Sequence, residues 1–126
     1  MGRSISAASL VFDQIDLYNP PGSITRVAGV LAANVSISVF SNNVPLTWAI
    51  QDGSAVPDSS ISAGIVYFNE IIGQPGFYSV RFYPDRIGFW KIVFSVPSIA
   101  AEVIREYDIS PMSSSASANG LNASFM

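Results

Sequence analysis

The sequence predicts an all-β, antiparallel sandwich of seven or eight short strands with extended termini. Two observations carry that expectation. Large apolar residues alternate with a period of two from Tyr78 to Phe82 and again from Trp90 to Val96, around a Pro-Asp-Arg-Ile-Gly corner at 84–88. Alternation of this kind is what a half-buried strand requires. Similar short runs recur along the chain between Pro, Gly and Asn turn signals, and no segment shows a convincing helical period.

Leu10 to Leu17 is the first strand, with Leu10, Phe12 and Gln14 on one face and Val11, Asp13 and Ile15 on the other. Asn19-Pro20-Pro21-Gly22 stops it, because proline supplies no donor and glycine admits turn angles. Ile24 to Leu31 offers a short second segment, and Gly29 within it suggests a bulge or a change of sheet. Val35 to Ser41 alternates cleanly, with Val35, Ile37 and Val39 inward. Asn42-Asn43 supplies a turn, since asparagine tolerates left-handed angles. Leu46 to Ile50 reads as the next strand, with Leu46, Trp48 and Ile50 on one side.

Ser54 to Ala63 is polar, carries Pro57 and reads as a connecting loop. Ile65 to Asn69 is apolar on both faces, which requires a central strand or one covered from outside. Gly73-Gln74-Pro75-Gly76 turns the chain into the pair around the corner, and Ala101 to Ile109 is the last strand. Trp48 and Trp90 are expected to meet between the sheets. The domain plan is an N-terminal arm over 1–9, a sandwich over 10–110 and a Ser/Ala-rich tail over 111–126.

Composition narrows the function. Charged residues make up 12% of the chain, about half the usual share for a soluble domain, while 49% is hydrophobic. A surface so short of charge suits a body covered by neighbours. The six basic residues are scattered singly and the net charge is −3, so no stripe exists to neutralise phosphates and no nucleic-acid partner is expected. The uncharged stretch from Val27 to Gln51 alternates and contains Asn34, Asn42, Asn43 and Pro45, so no membrane span is expected. Ser4, Ser6 and Ser9 interrupt the apolar run near the N-terminus and Asp13 ends it, so no export signal is expected.

No catalytic constellation is present. With no histidine and no cysteine, disulfides and Cys/His zinc sites are impossible, and no serine has a histidine base. Lys91 is the single lysine, set between Trp90 and Ile92. The acid pairs Asp13/Asp16 and Asp52/Asp58 are the minimum for glycoside chemistry or calcium, but such residues commonly build turns. The chain is therefore read as a non-enzyme with no catalytic residue, no metal and no cofactor.

The tail from Met112 to Met126 is too small and polar to fold alone, yet it includes Leu121, Phe125 and Met126. These three and the N-terminal arm from Met1 are expected to dock on another chain, with the protein's own domain as the alternative. Phe77, Tyr83 and Phe89 fall out of phase with the core set. They either form an outer apolar surface for partners or are shielded by loops of the same chain.

Pro75-Gly76-Phe77-Tyr78, then Phe82, Pro84, Gly88 and Trp90, resembles the "Gly-x-Tyr … Pro … Gly-x-Trp" cadence of immunoglobulin-like sandwiches. The resemblance extends over roughly Leu10 to Ile109, and seven strands in about 100 residues is the size of such domains. The cysteine pair of antibody domains is missing. A free-standing domain of this type with low charge and adhesive termini resembles small bacteriophage virion proteins, such as head decoration (cement) proteins and small tail or neck proteins. The resemblance implies a structural protein made in the host cytoplasm and carried in the virion. Its partners would be other virion proteins, a major capsid protein among them, and copies of itself. Two rival expectations are a carbohydrate- or surface-binding module of a tail or fibre, and a small enzyme using only carboxylates.

Overall fold

The structure is a computed structural model and describes residues 3–6, 9–19 and 24–110. Among these, nine strands form: β1 (Arg3–Ser6), β2 (Val11–Asp16), β3 (Ser36–Ser41), β4 (Val44–Leu46), β5 (Ala49–Asp52), β6 (Ile65–Glu70), β7 (Phe77–Phe82), β8 (Gly88–Val96) and β9 (Ala101–Ser110). The helical pieces among the described residues are single 3-10 turns at Ala32–Asn34, Asp58–Ser60 and Pro97–Ile99. The strands make a sandwich of two sheets, ordered β1-β9-β8-β3-β4 and β2-β7-β6-β5. The expected all-β class is thus observed.

Alternation in sequence becomes burial in structure. Trp90, Ile92, Phe94 and Val96 point inward from β8, opposed by Tyr78, Val80 and Phe82 of β7, and all seven are buried. Val11, Ile15, Val39, Tyr107 and Ile109 belong to the same core. The Trp48 ring meets Trp90 edge-on with centroids 5.3 Å apart, and it meets Phe82 at 6.1 Å. The β3–β4 hairpin turns on Asn42 and Asn43, at φ 51° and 65°. Two successive left-handed residues are what a two-residue hairpin loop needs to match the strand twist.

Several local expectations are corrected. Leu46 to Ile50 is not one strand. The chain leaves the first sheet after Leu46 and enters the second at Ala49, and the Trp48 ring packs against the core at that crossing. Ile24 to Leu31 forms no strand; an isolated bridge between Tyr18 and Arg26 is its share of pairing. The strand count is nine rather than seven or eight.

Two pairings are parallel rather than antiparallel: β1 with β9 and β5 with β6. The first places Arg3–Ser6, within the arm expected to dock on another chain, on an edge of the chain's own sandwich, where its backbone pairs with β9. The second arises because the chain returns from Asp52 to Ile65 before pairing again. On the outer face of the second sheet, Arg81 donates to the Asp58 carboxylate (2.9 Å) and to the Gly53 carbonyl (2.7 Å). Those bonds hold the returning segment over the sheet. Strand β6 is therefore both central and covered, which accounts for its two apolar faces.

Ser41 carries the one buried side-chain polar atom among the described residues that has no hydrogen-bond partner. Its hydroxyl has lost water and gained nothing in exchange. Ser41→Ala is expected to be neutral or stabilising by up to about 1 kcal/mol in urea unfolding. A loss of stability beyond about 1 kcal/mol would reveal a bond that this geometry lacks.

Candidate interaction surface

The pairings bring three connections to one end of the sandwich. Asp16 lies opposite Phe77 and Ser36 opposite Ser95, while Val96 pairs with Ala101. The β2–β3 connection, the β6–β7 turn and the β8–β9 turn therefore share that end, and Trp90 and the Asn42-Asn43 hairpin lie toward the other.

Polar side chains pin the long β2–β3 connection from beneath. The Tyr78 hydroxyl donates to the Val27 carbonyl (2.5 Å) and accepts from the Val30 N–H (3.1 Å). Burial raises the pKa of this phenol above its ordinary value. The Glu70 carboxylate accepts from Gly29 N–H (3.2 Å) and Gly76 N–H (2.9 Å), linking the connection to the β6–β7 turn. The Arg26 guanidinium lies 4.3 Å from the centre of the Phe77 ring and 3.8 Å from the Asp16 carboxylate. A cation over an aromatic face is attracted by the ring quadrupole. Gly76, at φ 86°, is required there: a β-carbon would stand 2.5 Å from the Arg26 Cβ.

With its polar groups committed inward, this end turns apolar side chains outward. Ile72 is 97% exposed, Ile24 94% and Leu31 65%. They are the three most exposed large hydrophobic residues among those described, and all three belong to these connections. A cleft of ≈ 230 Å³ beside Ile72 is lined by Ala28, Glu70, Ile71, Gly73 and Pro75. Isolated apolar residues on a surface need no explanation, but several gathered at one end mark an interaction site. The readable signal was a β-branched residue inside turn-forming sequence: Ile24 after Pro-Pro-Gly-Ser, and Ile72 before Gly-Gln-Pro-Gly.

The aromatic residues singled out in the sequence do not form one patch. Phe77 is half-buried on the outer face of the second sheet, beneath Arg26. Tyr83 follows β7 at the other end, about 20 Å away at the usual rise of a strand. Phe89 stands on the outer face of the first sheet beside Asp108, its N–H held by the Asn42 side chain (2.9 Å). Leu121, Phe125 and Met126 lie outside the described residues.

The acids are divided among separate tasks. Asp13 accepts from the Tyr107 hydroxyl (2.7 Å) and lies 3.6 Å from Arg105. Asp16 accepts from the Tyr18 hydroxyl (2.6 Å), and that donated bond raises the tyrosine's pKa. Asp52 caps the following turn through the Ser54 N–H and hydroxyl, both at 3.0 Å, which lowers its pKa. The Arg86 guanidinium lowers that of Asp85. Neither acid pair named from the sequence converges on a common point. Among the described residues, no group of three or more acids could hold a metal ion, and no helix is long and apolar enough to cross a membrane.

The cations among the described side chains are similarly engaged. Arg26, Arg81, Arg86 and Arg105 pair with acids of the same chain, and Lys91 lies 5.1 Å from the centre of the Phe40 ring. No family model, curated protein or solved structure matches the chain. Its surface chemistry is therefore what bears on function.

Proposed function

We propose that the chain is a non-enzymatic structural protein of a bacteriophage virion, a decoration protein that binds an assembled capsid shell. The observation that carries this reading is the apolar loop end formed by Ile24, Leu31 and Ile72 on a chain with few charges. The sheet order supports an immunoglobulin-like body. In such domains the last two strands lie side by side in one sheet with the penultimate one next to the third, and an early strand pairs with a later neighbour in the other. Here β9 and β8 lie next to β3, and β2 lies next to β7. The parallel strand β5 on the second sheet is a departure from that pattern.

Docking an apolar loop end suits a subunit that arrives after its target has assembled. Tyr78 and Glu70 anchor residues 27–30 and Gly76 to the sandwich, which lowers the ordering entropy that opposes binding.

The test uses particles purified by density gradient from cells that carry the gene. The chain is expected in those particles in stoichiometric amount by mass spectrometry. An Ile24→Ser, Leu31→Ser, Ile72→Ser triple variant is expected to fold and to be missing from them. Absence of the wild-type chain from particles would overturn the reading, and undiminished incorporation of the triple variant would overturn the assignment of the surface. Specific binding on a glycan array, with no chain in particles, would favour the carbohydrate-binding module.

A further inference from the structure

The second sheet ends at β5, and the hydrogen-bond pattern shows which groups that edge presents. Ala49 N–H donates to the Gly64 carbonyl (3.1 Å) and Gly53 N–H to the Phe68 carbonyl (3.2 Å). In a parallel pair, alternate residues turn both backbone groups to the same neighbour. Ala49, Gln51 and Gly53 therefore face β6, and the N–H and C=O groups of Ile50 and Asp52 face outward. No other backbone bond among the described residues uses them.

They lie beside a groove of ≈ 360 Å³, lined by Leu31, Ala32 and Ala33 of the neighbouring turn and by Ile50, Gln51 and Asp52 of the edge. One wall thus offers unpaired donors and acceptors, and the other offers apolar side chains, among them the exposed Leu31. An added strand uses both: main-chain bonds along the edge and alternate side chains against the wall. The β4 edge is a poorer template, being three residues long with Pro45 at its centre.

The chain carries a segment with matching chemistry. Leu121, Ala123 and Phe125 alternate with Asn122 and Ser124, the period-two pattern of a strand with one apolar face. It follows a Ser/Ala/Asn/Gly spacer from Met112 to Gly120. We infer that the groove between the outer edge of β5 and the Leu31–Ala33 turn accepts residues 121–126 of a second copy of the chain as an added β-strand.

The position of the groove favours a second copy. Strand β9 delivers the tail at Ser110, beside Gly88 and toward the Trp90 end. The groove lies beside the Ala32–Asn34 turn, toward the opposite end and on the far edge of the other sheet. From Ser110 to Leu121 the chain spans at most about 40 Å. To reach its own groove the tail must bend around the whole body, whereas an adjacent copy presents the same groove without that detour. Donor and acceptor lie on different surfaces, so the contact is either exchanged reciprocally, closing a twofold dimer, or passed head to tail, closing as a ring or continuing along a lattice. The inference deepens the assembly reading above and rests on it for the biological setting, but the groove and its occupant can be tested separately.

The test follows the full-length chain by sedimentation velocity from micromolar to millimolar concentration, with hydrogen exchange at the Ile50 and Asp52 amides. Wild type is expected to associate as concentration rises, and both amides to exchange at least about tenfold more slowly than in a tail variant carrying Leu121→Ser and Phe125→Ser, which leaves every described residue unchanged. That variant should remain monomeric. Asp52→Pro removes one outward N–H and should also prevent association, while Asp52→Ala should not.

Three outcomes overturn the inference. They are association undiminished in the tail variant, a wild-type monomer with unprotected edge amides, and a wild-type monomer whose protection depends on its own tail. Loss of self-association in the tail variant with normal incorporation into particles would support the groove contact and leave the shell reading intact. Tail-dependent association of a chain never found in particles would support the groove contact while overturning the shell reading.

Discussion

Replacing Trp90 by alanine is expected to lower stability by about 3–5 kcal/mol, the usual cost of truncating a buried aromatic residue. A domain of this size is stable by about 5–15 kcal/mol, so the variant would sit close to the unfolding threshold. Trp90 is fully buried, packed edge-on to Trp48 at 5.3 Å and tilted against Phe82 at 5.9 Å. Phe82 in turn meets Tyr107 at 5.4 Å, so the cavity would open where β7, β8, β9 and the sheet crossing converge. The indole N–H also donates to the Arg86 carbonyl (3.0 Å) and ties down the 84–88 corner. Urea unfolding followed by Trp48 fluorescence should show a lower midpoint with an unchanged slope. A loss below about 1.5 kcal/mol would mean that the site collapses and refills, or that the ring is not held as described.

The second large effect tests an asymmetry. The Arg81 side chain is 10% exposed, but that of its partner Asp58 is 68% exposed. Arg81→Met removes the buried charge, keeps much of the stem's packing and leaves a carboxylate that water already solvates, though the Gly53 carbonyl also loses its donor. Asp58→Ala leaves a guanidinium buried with one partner fewer, and stranding a buried charge costs more than losing the bond itself. Asp58→Ala is therefore expected to cost about 2–3 kcal/mol and Arg81→Met about 1–2 kcal/mol, by urea unfolding of the two variants. The reverse order would mean that the 53–64 segment lifts readily and lets water reach Arg81. In that case Tyr67, buried on the same outer face, should become accessible in both variants.

Both effects involve residues whose importance was unevenly legible. Trp90 declared itself through alternation with Ile92, Phe94 and Val96, and its meeting with Trp48 was foreseeable from two large rings on inward faces. Asn42-Asn43 announced a hairpin because few residues accept successive left-handed angles. Arg81, between Val80 and Phe82, gave no sign of holding a segment that begins 28 positions earlier. Asp58 read as a turn residue or half of an acid pair.

The candidate surface was less legible still. Phe77, Tyr83 and Phe89 are close in sequence, but Phe77 and Phe89 lie on different sheets and Tyr83 lies toward the opposite end from Phe77. Ile24, Leu31 and Ile72 are far apart in sequence and are gathered at one end by strand pairing.

Residue order alone was enough to establish the all-β class, most strand positions, the hairpin at Asn42-Asn43 and the lack of any histidine- or cysteine-based chemistry. Those follow from the side-chain period of a strand, the backbone angles a residue tolerates and the atoms it carries, all of which are local. Folding in three dimensions decided the parallel pairing of β5 with β6, the sheet change at Trp48, the separation of the acids and the assembly of the apolar end. Each of these depends on which distant segments become neighbours, a choice made by the summed burial and hydrogen bonding of the whole sandwich, to which no short window of sequence has access.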